Sequence, residues 1–335
     1  MINIFSMFST NRLPKEELSL SKKTDENVPS KPTKSRRWQM MDKTFEWKMV
    51  WVFLIGIAMC LFTQTAISAS GDNLHETEAF FRREKEVRVP VIMYHLVTEN
   101  SRYIGKYGIR PSELRSDFEY LKENGYNTVV IKDLVEFVEN GKALPPNPIV
   151  LTFDDGNFSD YKFLLPLLKE FEMTAVISIM GATTDKITRQ YAENPNGTYP
   201  NLTWCQVVQL HESGLVEVQS HGFDVHKKAG AGKVKGESAQ AYHERLKADL
   251  LKLEERCMEH LGYKPNTFCF PYGIMSKESH AVLEEMGYKA SLSCQEDINI
   301  IRQGESGDLY KLNRVNRASG RSIGSILKML EQKKK

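Results

Sequence analysis

From Val89 to the end of the chain, short apolar runs alternate with segments whose apolar residues recur every three to four positions. The runs VPVIMYH (89–95), NTVVI (127–131), PIVLTF (148–153), TAVISIM (174–180), VEVQSH (216–221), NTFCFPYG (266–273) and KASLSC (289–294) predict strands. Helical spacing predicts helices over 115–126, 132–141, 161–171, 204–214, 242–262 and 277–288, several closed by glycine. A strand followed by a helix, repeated, predicts a parallel sheet with helical crossovers. That is an α/β fold, either a barrel or a doubly wound sheet. In barrels the chemistry sits where strands end and βα loops begin. The Gly- and Lys-rich segment 227–240 predicts a mobile loop beside such an end.

The N-terminal quarter has a different pattern. Residues 1–48 are polar, basic and without a period, so they predict a disordered tail. Residues 49–70, MVWVFLIGIAMCLFTQTAISAS, carry no charge and would span about 30 Å as a helix, enough to cross a bilayer. Two readings stand: an uncleaved signal-anchor, or a signal peptide cut near the small residues Ser68 and Ser70, with translation beginning at Met40 or Met41. Either way the basic residues before the span keep that side cytoplasmic and send the remainder outside. Cys60 is no lipoprotein box, because Met59 stands where a small residue is needed. Residues 71–88 predict a charged stalk, and 89–330 the folded domain. The expected setting is therefore a single-pass cell-membrane protein with its domain outside, or a secreted one.

Charge changes little in this picture. The 335 residues carry a net charge of +2, which excludes an electrostatic nucleic-acid binder. Cys205, Cys257, Cys269 and Cys294 form no close pair of the zinc-binding kind; an external compartment permits disulfides, and buried free thiols are the other reading. Oligomeric state has no signature.

Chemistry-bearing residues collect at strand ends. PIVLTF runs into Asp154 and Asp155, VEVQSH into His221 and His226, the strand at 266 into Pro271 and Tyr272, and VPVIMYH into Tyr94 and His95. Two histidines and one aspartate, with a position left for water, suit a catalytic divalent ion, zinc or another first-row metal. Adjacent carboxylates on a strand need not point the same way, so Asp154 and Asp155 can hold different roles. His211, His243, His260 and His280 fall within helical patterns and receive no role.

TFDDG, SHGFDVH and FPYG, in this order and spacing, resemble the motifs of the polysaccharide deacetylases, the NodB-homology domain of carbohydrate esterase family 4. The resemblance covers about Val89 to Arg321, and VPVIMYH is similar to the branch acting on cell-surface polymers. It implies a distorted (β/α) barrel of parallel strands with outer helices. It also implies that Asp155, His221 and His226 bind one divalent ion, that Asp154 is the general base, and that the backbone N–H of Tyr272 faces the developing oxyanion. Tyr94, His95 and Pro271 are expected against the substrate, and Ser220 is expected to orient the histidine loop. The implied reaction removes N-acetyl groups from an N-acetylhexosamine polymer, peptidoglycan or exopolysaccharide, releasing acetate. An O-deacetylase of cell-wall polymer or xylan is the nearest alternative. Three departures stand out: the histidines are five apart rather than four; Cys269 and Phe270 occupy the place of an arginine that pairs with the base; and KLNRVNRASG (311–320) lacks the histidine that protonates the leaving amine. Asp154, His95 or Arg317 would have to serve instead. The two missing residues also admit a domain that binds glycan without cleaving it.

Overall fold

A computed structural model of the protein describes residues 85–333. The expected tail, membrane span and most of the stalk lie outside the described residues. Among the described residues, no helix is long and apolar enough to cross a membrane.

The strands are β1 (Glu86–Val89), β2 (Val91–Tyr94), β3 (Leu96–Val97), β4 (Gly108–Ile109), β5 (Asn127–Thr128), β6 (Pro148–Asp154), β7 (Ala175–Ile179), β8 (Val216–Ser220), β9 (Thr267–Cys269), β10 (Ala290–Leu292), β11 (Asn299–Arg302) and β12 (Val315–Asn316). The main sheet runs β10-β9-β8-β7-β6-β2-β12, every pair parallel, with β5 also on β6. A parallel bridge from Leu292 to Leu312, extended by Leu312 N–H to Ser291 O (2.8 Å) and Arg314 N–H to Gln295 O (2.9 Å), joins β10 to the approach of β12. The two ends of the sheet thereby meet in a distorted barrel, in keeping with the expected (β/α) architecture. The strand β6 is buried at all seven positions, as a central parallel strand covered on both faces must be, and this is why it reads as an unbroken apolar run.

Several boundaries differ from the pattern for local reasons. The expected strand at 89–95 is divided at Pro90, which has no N–H to donate. Before the proline, β1 leaves the barrel to pair antiparallel with β11; after it, β2 enters beside β6. The folded region therefore begins before Val89, and the helix Ile323–Gln332 carries it past 330. NTVVI is strand only as far as Thr128, because the Asp133 carboxylate accepts the N–H of Val130 (3.1 Å) and starts the helix Ile131–Asn140. The helix expected from 161 opens as a π-turn over Asp160–Leu164. Pro166 denies Lys162 its ordinary partner, and Leu165 N–H reaches back to Asp160 O. The helix Gly181–Glu193 has too few apolar residues to announce itself.

The core on the outer side of the barrel packs helix Pro111–Glu123 and helix Ile323–Gln332 through Leu114, Phe118, Ile326 and Leu330. Within it lies a buried ion pair: Arg317 donates to both carboxylate oxygens of Asp117 (2.7 and 3.0 Å), and the Tyr94 hydroxyl donates to the same group (3.1 Å). Burial alone would neutralise Asp117; the guanidinium only partly offsets it, and the carboxyl stays above its usual range. Arg317→Met should strand this carboxylate and lower stability by about 3–5 kcal/mol, read as the loss of unfolding free energy in urea; a change within ±0.5 kcal/mol would show the pair to be incidental.

Candidate active site

All of the candidate chemistry lies at one mouth of the barrel, the ends of β2, β6, β8 and β9. Asp154 is the last residue of β6, and Asp155 follows with φ 76°, a left-handed conformation that a non-glycine residue rarely adopts. That reversal separates the two carboxylates. The turn is held by Asn157 Nδ2 donating to Asp154 O (3.1 Å) and Asn201 Nδ2 donating to Asp155 O (3.1 Å). Backbone strain of this kind costs on the order of 1–3 kcal/mol and persists where the surroundings over-determine it.

From the end of β8, His221 donates its Nδ1 proton to the carbonyl of Cys269 at 2.9 Å, since a carbonyl can only accept. This bond orients the ring and leaves Nε2 facing Asp155 and the cleft. The chain then reverses at Gly222, φ 83°, where a Cβ would stand 2.3 Å from Val225. The Asp249 carboxylate, from helix Ala239–Leu261, accepts the N–H groups of Phe223 (2.7 Å) and Asp224 (2.8 Å) and clamps the loop that delivers His226. Ser220 Oγ accepts from Gly222 N–H (3.1 Å).

Asp155 Oδ1 lies 3.4 Å from His221 Nε2 and 3.3 Å from His226 Nε2. These are long for charge-assisted hydrogen bonds, which fall near 2.7–2.9 Å. They match the roughly 3.4 Å that separates ligands set tetrahedrally about 2.0–2.2 Å from one ion. Asp155 Oδ1 is moreover buried without any hydrogen-bond partner. Donor set, spacing and orphaned oxygen together fit a divalent metal. Burial opposes ionisation of Asp155, yet the two imidazoles hold its carboxyl well below the usual carboxylate range. A second cluster, Asp154, His221 and Cys269, also brings ligand atoms together. It suits a cation poorly, because both oxygens of Asp154 are already taken.

They are taken by Arg314, whose Nη1 and Nη2 donate to Oδ1 (2.8 Å) and Oδ2 (2.9 Å). Arg314 is fully buried and also donates to Ser293 O (2.7 Å) and Thr152 Oγ1 (3.2 Å). Burial alone would raise the Asp154 carboxyl, but the guanidinium outweighs it, helped by His221 and His95, and the group is held low. The arginine missing from FCFPYG is therefore supplied from the KLNRVNRASG segment. Its signal in the sequence was alternation: Arg314 and Asn316 flank Val315, which packs in the outer core, so the two polar residues turn inward.

Of the other expected residues, His95 lines the same cleft, its Nε2 3.9 Å from Asp154 Oδ2, and burial lowers its pKa against the pull of that carboxylate. Tyr272 is exposed, with φ 58°; its ring lies 4.5 Å from that of His226 and its hydroxyl 3.2 Å from His226 Nδ1. Tyr94 does not reach substrate. It is 1% exposed, stacked on Phe153 at 4.7 Å, because strand alternation turns it to the outer core while His95 turns to the cleft. Pro271 is buried too, with its carbonyl packed against Gly230 of the 227–240 loop, and takes no part in the cleft wall. Arg317, offered as an acid, is the buried partner of Asp117. Cys205, Cys257, Cys269 and Cys294 are free.

Residues 141–291 match the family model described as polysaccharide deacetylase. The chain carries a polysaccharide deacetylase domain. It is 30% identical over 217 residues to the poly-β-1,6-N-acetyl-D-glucosamine N-deacetylase of Escherichia coli, covering 59% of this chain and 32% of that protein. It is 23% identical over 197 residues to the enzyme of the same name from Staphylococcus aureus, covering 59% and 64%. The chain thus spans about a third of the length of the first of these relatives. Among solved structures, the de-N-acetylase from Aggregatibacter actinomycetemcomitans superposes with a TM-score of 0.61 at 26% identity, covering 73% of this chain and all of that one (100%).

In this polysaccharide deacetylase domain, Arg314→Met should leave Asp154 buried and uncompensated. A loss of about 3–5 kcal/mol of stability is expected, measured by urea unfolding; an unchanged midpoint would mean that Asp154 draws its compensation from elsewhere.

Proposed function

We propose that the protein hydrolyses N-acetyl groups of an exopolysaccharide built from N-acetylglucosamine, with one divalent ion, zinc or another first-row metal, held by Asp155, His221 and His226. The observation that carries this reading is the pair of 3.3 and 3.4 Å separations around the unpartnered Asp155 Oδ1. The names of the relatives favour a β-1,6-linked N-acetylglucosamine polymer over peptidoglycan.

When bound, the ion supplies Lewis-acid polarisation of an acyl carbonyl and lowers the pKa of a water. Asp154, kept anionic and fixed in direction by Arg314, is the general base that takes the water's proton. Its depressed pKa makes it a modest base, so the acidity of the water must provide the drive. The N–H of Tyr272, on its strained turn, is the donor to the developing oxyanion. His95 faces Asp154 across the cleft. Its Nε2, the nitrogen nearer Asp154, can take the proton from that carboxyl and hand it to the leaving amine. In this reading Arg314, from KLNRVNRASG, and His95, from VPVIMYH, take the parts of the two missing residues. Placement outside the membrane, tethered or secreted, remains part of the proposal and rests on residues 49–70 and the basic residues before them.

Asp154→Asn should abolish acetate release while metal content, measured by elemental analysis, stays near one ion per chain. His221→Ala should lose the ion and the activity together, the ligand being worth several kcal/mol. Normal metal content in the His221 variant would remove it from the ligand set, and wild-type protein releasing no acetate from any acetylated glycan would leave a binding domain.

A further inference from the structure

His221 and His226 are offered to the site in different ways. His221 follows β8 directly, is buried, and has its Nδ1 tied to the carbonyl of Cys269 at 2.9 Å. His226 stands five residues further on, outside any strand, and its side chain is partly exposed. Among the described residues, the hydrogen bond at its Nδ1 is with the hydroxyl of Tyr272 (3.2 Å), itself an exposed residue. The ring of His226 is therefore aimed chiefly by its backbone, and that backbone hangs on the loop 222–225.

Four backbone groups of this loop are held from outside it. The carbonyls of Gly222 and Phe223 accept the N–H groups of Gly181 (3.1 Å) and Ala182 (2.9 Å). These donors open the helix Gly181–Glu193, and no turn of that helix can satisfy them. On the other side, the N–H groups of Phe223 and Asp224 go to the two oxygens of Asp249 (2.7 and 2.8 Å), from helix Ala239–Leu261. The fit leaves no slack. A Cβ at Gly181 would stand 2.5 Å from the Phe223 ring, and one at Gly222 3.1 Å from Asp249 Oδ2. No side chain of the loop makes any of these four bonds, so its two neighbours give it its shape.

A carboxylate is the group this place requires. Two successive N–H groups need two acceptors side by side, and an asparagine would turn its NH₂ toward one of them. Hydrogen bonds to an ionised acceptor are also roughly twice as strong as neutral ones. Asp249 itself belongs to neither group of converging ligand atoms.

We propose that Asp249 is the positioning residue for His226: it holds the loop across the start of helix Gly181–Glu193 and so presents the third ligand at the spacing one ion needs. The strength of metal binding is thereby set in part from a helix that contributes no ligand. This rests on the metal-site reading given above.

The test titrates zinc alone into metal-free full-length protein against a chromophoric chelator. Asp249→Ala should weaken binding about 10- to 100-fold. Asp249→Asn, which keeps the side chain's shape and one acceptor oxygen, should lose about three- to tenfold, and it carries the test if the alanine variant does not fold. Ring-nitrogen NMR signals of the zinc-loaded protein, assigned with His221→Ala and His226→Ala, separate positioning from general loosening. In the Asp249 variants the His226 signal should move toward that of a free imidazole while the His221 signal stays. Unchanged affinity, or the two histidine signals moving together, overturns the proposal. Wild-type protein that takes up neither zinc nor cobalt overturns the metal reading and the proposal with it; uptake that is indifferent to Asp249 overturns the proposal alone.

Discussion

The buried pair of Arg314 and Asp154 is the constraint around which the site is arranged. A guanidinium and a carboxylate removed from water cost several kcal/mol each, and only near-complete pairing offsets this. Arg314 achieves it with both oxygens of Asp154, the carbonyl of Ser293 and the hydroxyl of Thr152. The pair also crosses the barrel where its two sheet ends meet, because Arg314 comes from the segment that bridges β10 to β12. The segment that closes the barrel is thus also the one that holds the carboxylate.

That arrangement explains why two adjacent aspartates behave differently. Asp154 is committed to a cation of the protein's own. Asp155, turned away by its left-handed backbone, meets two imidazoles and no hydrogen-bond donor for its buried Oδ1. A third carboxyl, Asp160, sits behind them on the π-turn, fully buried; burial, with Asp155 nearby, pushes it well above the usual range.

The first and second motifs were legible because each lies within a few residues of chain: Asp154 and Asp155 at one strand end, His221 and His226 in one loop. The order of strands and helices was legible for the same reason, since burial on both faces of β6 or on one stripe of a helix is a local pattern. Arg314 escaped the motif reading, and only the alternation around Val315 marks it. It is more than a hundred residues from Asp154, and the family pattern led the eye to Cys269 and Phe270 instead. Tyr94 was misread as substrate-facing because a strand's last residues look alike until the sheet fixes which face is the core. Asp249, which clamps the histidine loop from a distant helix, is one acidic residue among many on that helix's sequence.

By itself, then, the sequence determined the chemical types present, the alternation of parallel strands and helices, and the strand ends where reactive groups gather, because propensity, periodicity and turn chemistry act over short spans. Tertiary structure alone decided which cation neutralises Asp154, which of Tyr94 and His95 meets the cleft, and whether Asp155, His221 and His226 stand at a spacing suited to one ion. Those are distances between residues far apart in the chain, and they exist only once the barrel has closed.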